Sequence, residues 1–243
     1  MDSNQKIELF RSWVDQTPDC SIVFLGGAGV STESGIPDFR SSTGVFSKRG
    51  RFSPEEVVSA RFFRSHTEEF FEFYRRGMIV QDALPNQAHI KLAELEAEGK
   101  LSAIITQNID GLHQMAGSKN VLELHGSVHR NYCMDCGKQY PLDFVITSIS
   151  VIPYCTECGG IVRPDVVLYQ EQLDENILRA SAEAIENASM LIVGGTSLVV
   201  YPAAGLTRFY DKDRLVIINM SETPQDNDAD LHISESIGKV FNW

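Results

Sequence analysis

Short apolar runs recur along this chain, separated by longer stretches in which apolar side chains return every three or four positions. Ser21-Ile22-Val23-Phe24-Leu25, Ala103-Ile104-Ile105, Val121-Leu122-Glu123-Leu124, Met190-Leu191-Ile192-Val193 and Leu215-Val216-Ile217-Ile218 read as strands buried on both faces. A further strand is expected at Arg163 to Leu168. Ile7, Phe10 and Val14 mark one face of a helix before the first strand, and Ala88, Leu92 and Leu95 the face of another that ends near Gly99. Helices are also expected from Asp174 to about Ala188 and from Ala203 to Tyr210. Strands alternating with helices in this way predict a parallel sheet covered on both sides.

Two further helix starts are marked by capping chemistry. Ser53-Pro54-Glu55-Glu56 offers a serine cap with proline at the first helical position, and Ser65-His66-Thr67-Glu68 repeats the box before the aromatic run at 70–74. Gly77 is the expected stop of that second helix. The fold class that results is α/β, a Rossmann-like doubly wound parallel sheet with a smaller helical plus zinc-binding domain inserted. The large domain is expected from 1–42, 85–128 and 163–243. The small domain is expected from a helical insert at 43–84 and a zinc module at 129–162.

The zinc assignment rests on spacing. Four of the five cysteines form two CxxC pairs, Cys133 with Cys136 and Cys155 with Cys158, eighteen residues apart. Knuckles at that separation mark a tetrahedral structural zinc site, and four thiolates leave no open position for catalysis. Cys20 is expected to be a small buried residue beside the first strand. Acids outnumber bases by 33 to 21, a formal charge of −12, with no basic stripe, which disfavours nucleic acid as a partner. No apolar run is long enough to cross a bilayer, and the N-terminus lacks the pattern of a signal peptide, so a cytoplasmic protein is expected.

Candidate chemistry clusters where strands end, the place at which ligands bind in such sheets. After the first strand comes Gly26-Gly27-Ala28-Gly29, able to bring backbone close to a pyrophosphate. The loop then continues through Pro37 to Asp38, Phe39 and Arg40: an acceptor, a flat apolar face and a guanidinium fork. That tail suits a reaction at the nucleotide itself. The segment Thr106-Gln107-Asn108-Ile109-Asp110 offers amides and a carboxylate for hydroxyls and a carboxamide. His125 follows a strand and precedes Gly126, while Thr196 and Ser197 follow Gly194-Gly195, placed to line an adenosine half. Asn219 ends the strand at 215–218, placed for a ribose hydroxyl. A hydride-transferring NAD oxidoreductase would explain the glycine loop but neither the cysteines nor the context of His125. A zinc-ribbon binding protein with a degenerate nucleotide fold is the third reading.

Together the segments GAGVSTESGIPDFRS, TQNIDGLHQ, LHG at 124–126, the four cysteines, RPDVV at 163–167, GTSLVVYPA and the Ile218-Asn219 pair resemble the sirtuin family, in its bacterial type. The resemblance implies an NAD-dependent protein-lysine deacetylase. In that family the acyl oxygen of acyl-lysine attacks the ribose carbon bearing nicotinamide, and an alkylamidate intermediate leads to free lysine, nicotinamide and O-acetyl-ADP-ribose. It implies His125 as general base and Asn108 beside it as a second catalytic residue, holding the nicotinamide ribose with Gln107. Ala28, Thr32 and Arg40 would meet the NAD phosphates and nearby ribose, Asp38 belongs to the same cofactor loop, and Phe39 would shield the reactive carbon. Ile109 and Asp110 would form the carboxamide pocket, and Thr196, Ser197, Asn219 and Ile237 would hold the adenosine end. Val166 and Val167 would receive the peptide as an added strand. NAD is thus the expected co-substrate, zinc the structural ion, and acetyl-lysine proteins the partners of a monomer.

Two departures from the family pattern follow. Tyr169-Gln170-Glu171 stands where many members carry Phe-Gly-Glu, beside the acyl-lysine channel. The Tyr-x-x-Arg of succinyl- and malonyl-preferring members is absent, since Gly77 lies three residues after Tyr74, and Arg75 and Arg76 read as solvated helix-end charges. Acetyl and longer apolar acyl groups are the expected substrates.

Overall fold

The computed structural model describes residues 1–38 and 52–243. Its larger sheet contains β1 (Ile22–Gly26), β2 (Leu101–Thr106), β3 (Val121–Glu123), β7 (Met190–Gly194), β8 (Leu215–Ile218) and β9 (Leu231–Ile233). The spatial order is β3-β2-β1-β7-β8-β9, every pair parallel. This is the doubly wound order in which the winding reverses between β1 and its neighbour across the midline, opening a crevice at their carboxyl ends.

Alternate residues of β1 build the two cores. Ile22 and Phe24 face helices α1 (Ser3–Gln16), α5 (Gln87–Ala97) and α9 (Ile237–Val240), packing with Phe10, Val14, Leu92 and Phe241. Val23 and Leu25 face the other way, into a cluster with Ile185 of α8 (Glu175–Asn187), Leu191 and Ile217. Strands covered on both sides need no polar face, which is why they read as unbroken apolar runs. Helix α8 is capped by Asp174, whose carboxylate accepts the N–H groups of Asn176 and Ile177.

A second, three-stranded sheet has the order β5-β4-β6, antiparallel throughout: β4 is Gly126–Cys133, β5 Gln139–Pro141 and β6 Val162–Val166. The strand expected at Arg163–Leu168 therefore pairs with β4 here, outside the parallel sheet. The small sheet reaches past the expected 129–162 on both sides. Its apolar face shares one core with the helical insert, where Phe62, Phe63, Phe70, Phe71 and Tyr74 meet Val128, Val162 and Val166.

Within the insert, Ser53 caps α2 (Pro54–Val57) as expected, accepting the Glu56 N–H. The box at Ser65 does not form. Ser59 caps α3 (Ala60–Ser65) instead, so Ser65 is that helix's last residue and its hydroxyl is turned back to the Arg61 carbonyl. Helix α4 (Thr67–Phe73) starts at His66 with no side-chain cap. Nor does Gly77 stop it: the chain widens into a π-helical turn over Tyr74–Met78, with Gly77 inside. Arg75 is not a free helix-end charge, because it donates to the Val145 and Ser150 carbonyls, tying the insert to the zinc module. Cys20 is exposed, not buried, on a turn with φ 53°.

Candidate active site

The crevice is lined where β1 and β7 run out into paired glycine loops. The Gly27 N–H donates to the Gly194 carbonyl (3.2 Å) and the Gly29 N–H to that of Gly195 (2.8 Å). A Cβ on Gly29 would stand 2.8 Å from the Gly195 backbone, and Gly195 itself has φ +60°. Only bare backbone permits this approach, so the loops meet without side chains between them. Ala28 starts a 3₁₀ turn, and the Thr32 hydroxyl donates to the Gly29 carbonyl, closing the loop on itself.

Beside this cradle the end of β2 supplies the polar cluster. The Gln107 N–H donates to the Gly26 carbonyl, and its side-chain amide donates to the Thr196 hydroxyl (3.0 Å), bridging the two halves of the crevice. Asn108 is buried, its N–H held by the Thr106 hydroxyl and its amide donating to Ser31 Oγ (3.0 Å). Ser31 in turn donates to Asp110 Oδ2 (2.6 Å), and Asp110 Oδ1 accepts the Leu112 N–H. Amide, hydroxyl and carboxylate thus form one directed chain. Ser31 was missed in the sequence, where it is one small residue within the glycine loop. Its burial and its place between Asn108 and Asp110 are tertiary facts. Ile109 packs towards the small-domain core, and its carbonyl accepts the Val128 N–H.

His125 lies 2.9 Å through Nδ1 from the Gln107 carbonyl. A carbonyl only accepts, so Nδ1 carries the hydrogen and Nε2 presents a lone pair. Burial lowers the pKa of His125 below its ordinary value, and the Gln107 bond offsets only part of that. The imidazole is therefore neutral near pH 7, as a general base requires. Its backbone carbonyl accepts the N–H of Val167. Gly126 has φ +73°, and a Cβ there would lie 2.0 Å from the Asp165 carbonyl, so the glycine after His125 is imposed by the β4–β6 contact. Val166 is buried and paired with Gly126, placing Val166 and Val167 alongside the histidine.

The remaining expected residues occupy the other end. Thr196 is buried and Ser197 half-buried after β7. Asn219 follows β8, its amide donating to the Ser221 carbonyl. The Ile237 side chain belongs to the core against Gly194, so only its backbone can face a ligand. Glu33 accepts the Gly238 N–H (2.6 Å), joining the glycine loop to α9. Asp38 is half-buried; Phe39 and Arg40 lie outside the described residues. Beneath the cluster two histidines not anticipated from sequence, His89 and His113, are fully buried with ring centroids 4.7 Å apart. Burial pushes them down to about 4 and about 3, so both are neutral.

The cysteine sulfurs of 133, 136, 155 and 158 lie within 4.8 Å of one another. A tetrahedral zinc with Zn–S bonds of about 2.3 Å needs sulfurs about 3.8 Å apart, and the 133–158 and 136–155 pairs stand at 3.4 and 3.6 Å. The donor set fits zinc. The Tyr140 hydroxyl donates to Cys155 Sγ (3.1 Å), an outer bond of the kind that orients metal ligands.

The chain is similar to known proteins in sequence and in fold. The sequence pattern of the Sir2 family matches residues 27–202. An NAD-dependent protein deacetylase of Clostridium acetobutylicum is 64% identical over 223 residues, 91% of each chain, and one of Cutibacterium acnes is 50% identical over 97% of this chain and 96% of its own. Among solved structures, a histidine-to-alanine Sir2 variant with deacetylated p53 peptide and 3'-O-acetyl-ADP-ribose is 41% identical, with a TM-score of 0.90 over 97% of this chain and 96% of that one. A Sir2–p53 peptide–NAD+ complex gives 0.85 at 41% identity, over 97% and 95%. The chain belongs to the Sir2 family.

Proposed function

We propose that this chain is an NAD-dependent protein-lysine deacetylase, moving the acetyl group of acetyl-lysine to ADP-ribose with release of nicotinamide. The observation that carries this reading is the orientation of His125. Its Nδ1–H is held by Gln107, and its Nε2 lone pair is free for a proton at the mouth of a nucleotide crevice. The curated relatives are NAD-dependent protein deacetylases, and solved relatives hold NAD+, acetylated peptide or acetyl-ADP-ribose.

NAD supplies the ribose carbon from which nicotinamide departs and to which the acyl oxygen adds. The facing loops of Gly27–Gly29 and Gly194–Gly195 would cradle its phosphates, with Ala28 and Thr32 beside them and Arg40 from the loop that follows. Asn108 and Gln107, fixed by Ser31 and Thr196, would orient the ribose hydroxyls. Ile109 and Asp110 would hold the carboxamide, Phe39 would keep water out, and Thr196, Ser197, Asn219 and the backbone at Ile237 would hold the adenosine. His125 Nε2 would take the ribose hydroxyl proton, and Val166 and Val167 would receive the substrate backbone as a strand. The chain then divides into a nucleotide-holding unit around the parallel sheet and a smaller unit of insert and zinc module, with substrate between them. Zinc, held by all four cysteines, shapes the smaller unit only.

The acid surplus and the lack of a basic stripe support a partner that is protein and not nucleic acid. Among the described residues no helix is long and apolar enough to cross a membrane. A cytoplasmic monomer completes the proposal. The test is to incubate protein, NAD and an acetyl-lysine peptide and follow products by mass: nicotinamide, free peptide and O-acetyl-ADP-ribose should rise together. His125→Ala should lower turnover by at least about 100-fold with NAD still bound. An oxidised substrate with nicotinamide still attached to the dinucleotide would overturn the reading.

A further inference from the structure

The segment after β6 is held at both ends. On one side the Val167 N–H donates to the His125 carbonyl (3.0 Å). The Glu171 carboxylate pairs with the Arg163 guanidinium through two bonds (2.8 and 3.0 Å) and accepts the Leu168 N–H. On the other side the segment reaches the helical insert: the Tyr169 N–H donates to the Val58 carbonyl (2.9 Å), and the Ala60 N–H to the Tyr169 carbonyl (3.0 Å). One side chain joins these contacts. Gln170 Oε1 accepts the N–H of Arg61, the second residue of α3 (3.2 Å). Ser59 Oγ serves the next N–H, so the open first turn of α3 is closed from both directions.

Gln170 makes this bond from φ +76°, a backbone conformation that glycine adopts freely and other residues rarely do. A strained, solvent-exposed glutamine needs a compensating contact, and the Arg61 bond is one that glycine could not make. We infer that Gln170 is a positioning residue: it latches the loop at 167–171 to α3, pre-organises the strand edge that receives substrate, and thereby sets affinity for the acetyl-lysine peptide without entering the chemistry. The inference rests on the deacetylase reading, in which Val166 and Val167 border the peptide. Fixing a receiving edge before binding lowers the ordering cost of association and leaves the reacting atoms alone. The effect therefore falls on the peptide KM.

Two variants keep the Cβ and so the same backbone strain. Gln170→Leu removes the acceptor, and Gln170→Glu replaces it with a stronger one. Steady-state assays by nicotinamide release should give Gln170→Leu a peptide KM about two- to tenfold above the parent, the range expected for one such bond. Its kcat and its KM for NAD should stay within about twofold. Gln170→Glu should keep the parental peptide KM or lower it. A Gln170→Leu enzyme with parental peptide KM overturns the latch, as does a defect in kcat instead, or equal impairment of both variants. A parent protein that releases no nicotinamide with acetyl-lysine peptide sinks the deacetylase reading itself, a separate result.

Discussion

In the role proposed for His125 as general base, a single bond decides which ring nitrogen acts. With the hydrogen held on Nδ1 by Gln107, the reactive nitrogen is Nε2, and burial lowers the pKa. A base works only when unprotonated, so activity is lost as pH falls through this depressed value. The acid limb of kcat/KM should accordingly bend below pH 6.5, the ordinary histidine value. A midpoint at or above 6.5 in a pH–rate profile would contradict the geometry. At this scale the sequence singled out polar residues at strand ends and was silent about those that hold them in place. His125 and Asn108 stand out in short motifs at strand ends. Ser31 and His113 lie inside two of those motifs without being singled out and His89 lies outside them, because their burial arises from contacts between segments distant in sequence. Ile237, expected to hold the adenosine end, shows the converse: the sequence did not reveal that its side chain would be spent on the core.

Among the elements, those whose periodicity is unambiguous were read correctly, and those decided by competition were not. Strands β1, β7 and β8 are buried along their whole length and read as unbroken apolar runs. The cap formed at Ser59, and not the one expected at Ser65, leaves Ser65 as the last residue of α3. The bridge between Ser59 and Tyr169 is the long-range contact associated with the first. Strand β9 and helix α9 are only three and four residues long, too short for any period to show. The pairing of β6 was hidden because a strand's own sequence does not state which sheet it joins. Zinc governs the smaller sheet at this scale. Cys133 ends β4, while Cys155 and Cys158 lie on the turn leading into β6, so the ion joins strands whose own pairing is short. Stripping the metal with a strong chelator, or Cys133→Ser, should melt this sheet and abolish turnover while the parallel sheet persists. Circular dichroism with a zinc assay would check this; an equally active, equally folded metal-free protein would falsify the structural role.

At the scale of the whole molecule, the packing of the insert against the zinc module bears on which acyl group the proposed activity would accept. Tyr74 is fully buried in the core shared by the insert and the zinc module, and Arg75 is bonded to carbonyls at 145 and 150. Both are committed to joining the two parts of the smaller unit, so neither is available to pair with an acyl carboxylate. One peptide carrying acetyl- or succinyl-lysine should be turned over faster in the acetyl form, by about tenfold or more if one unpaired carboxylate must be desolvated. Faster succinyl turnover would reverse the assignment.

One further property lies in the register of the smaller sheet. Gly126 pairs with Val166 and Ser127 with Asp165, so the excursion from 126 to 166 leaves and rejoins the body of the protein at adjacent points. The two sides of that junction are the chain just after His125 and the chain just before Val167, and the excursion between them also shares a core with the helical insert. Because the Val167 N–H donates to the His125 carbonyl at that junction, the spacing between His125 and Val167 is set by backbone alone.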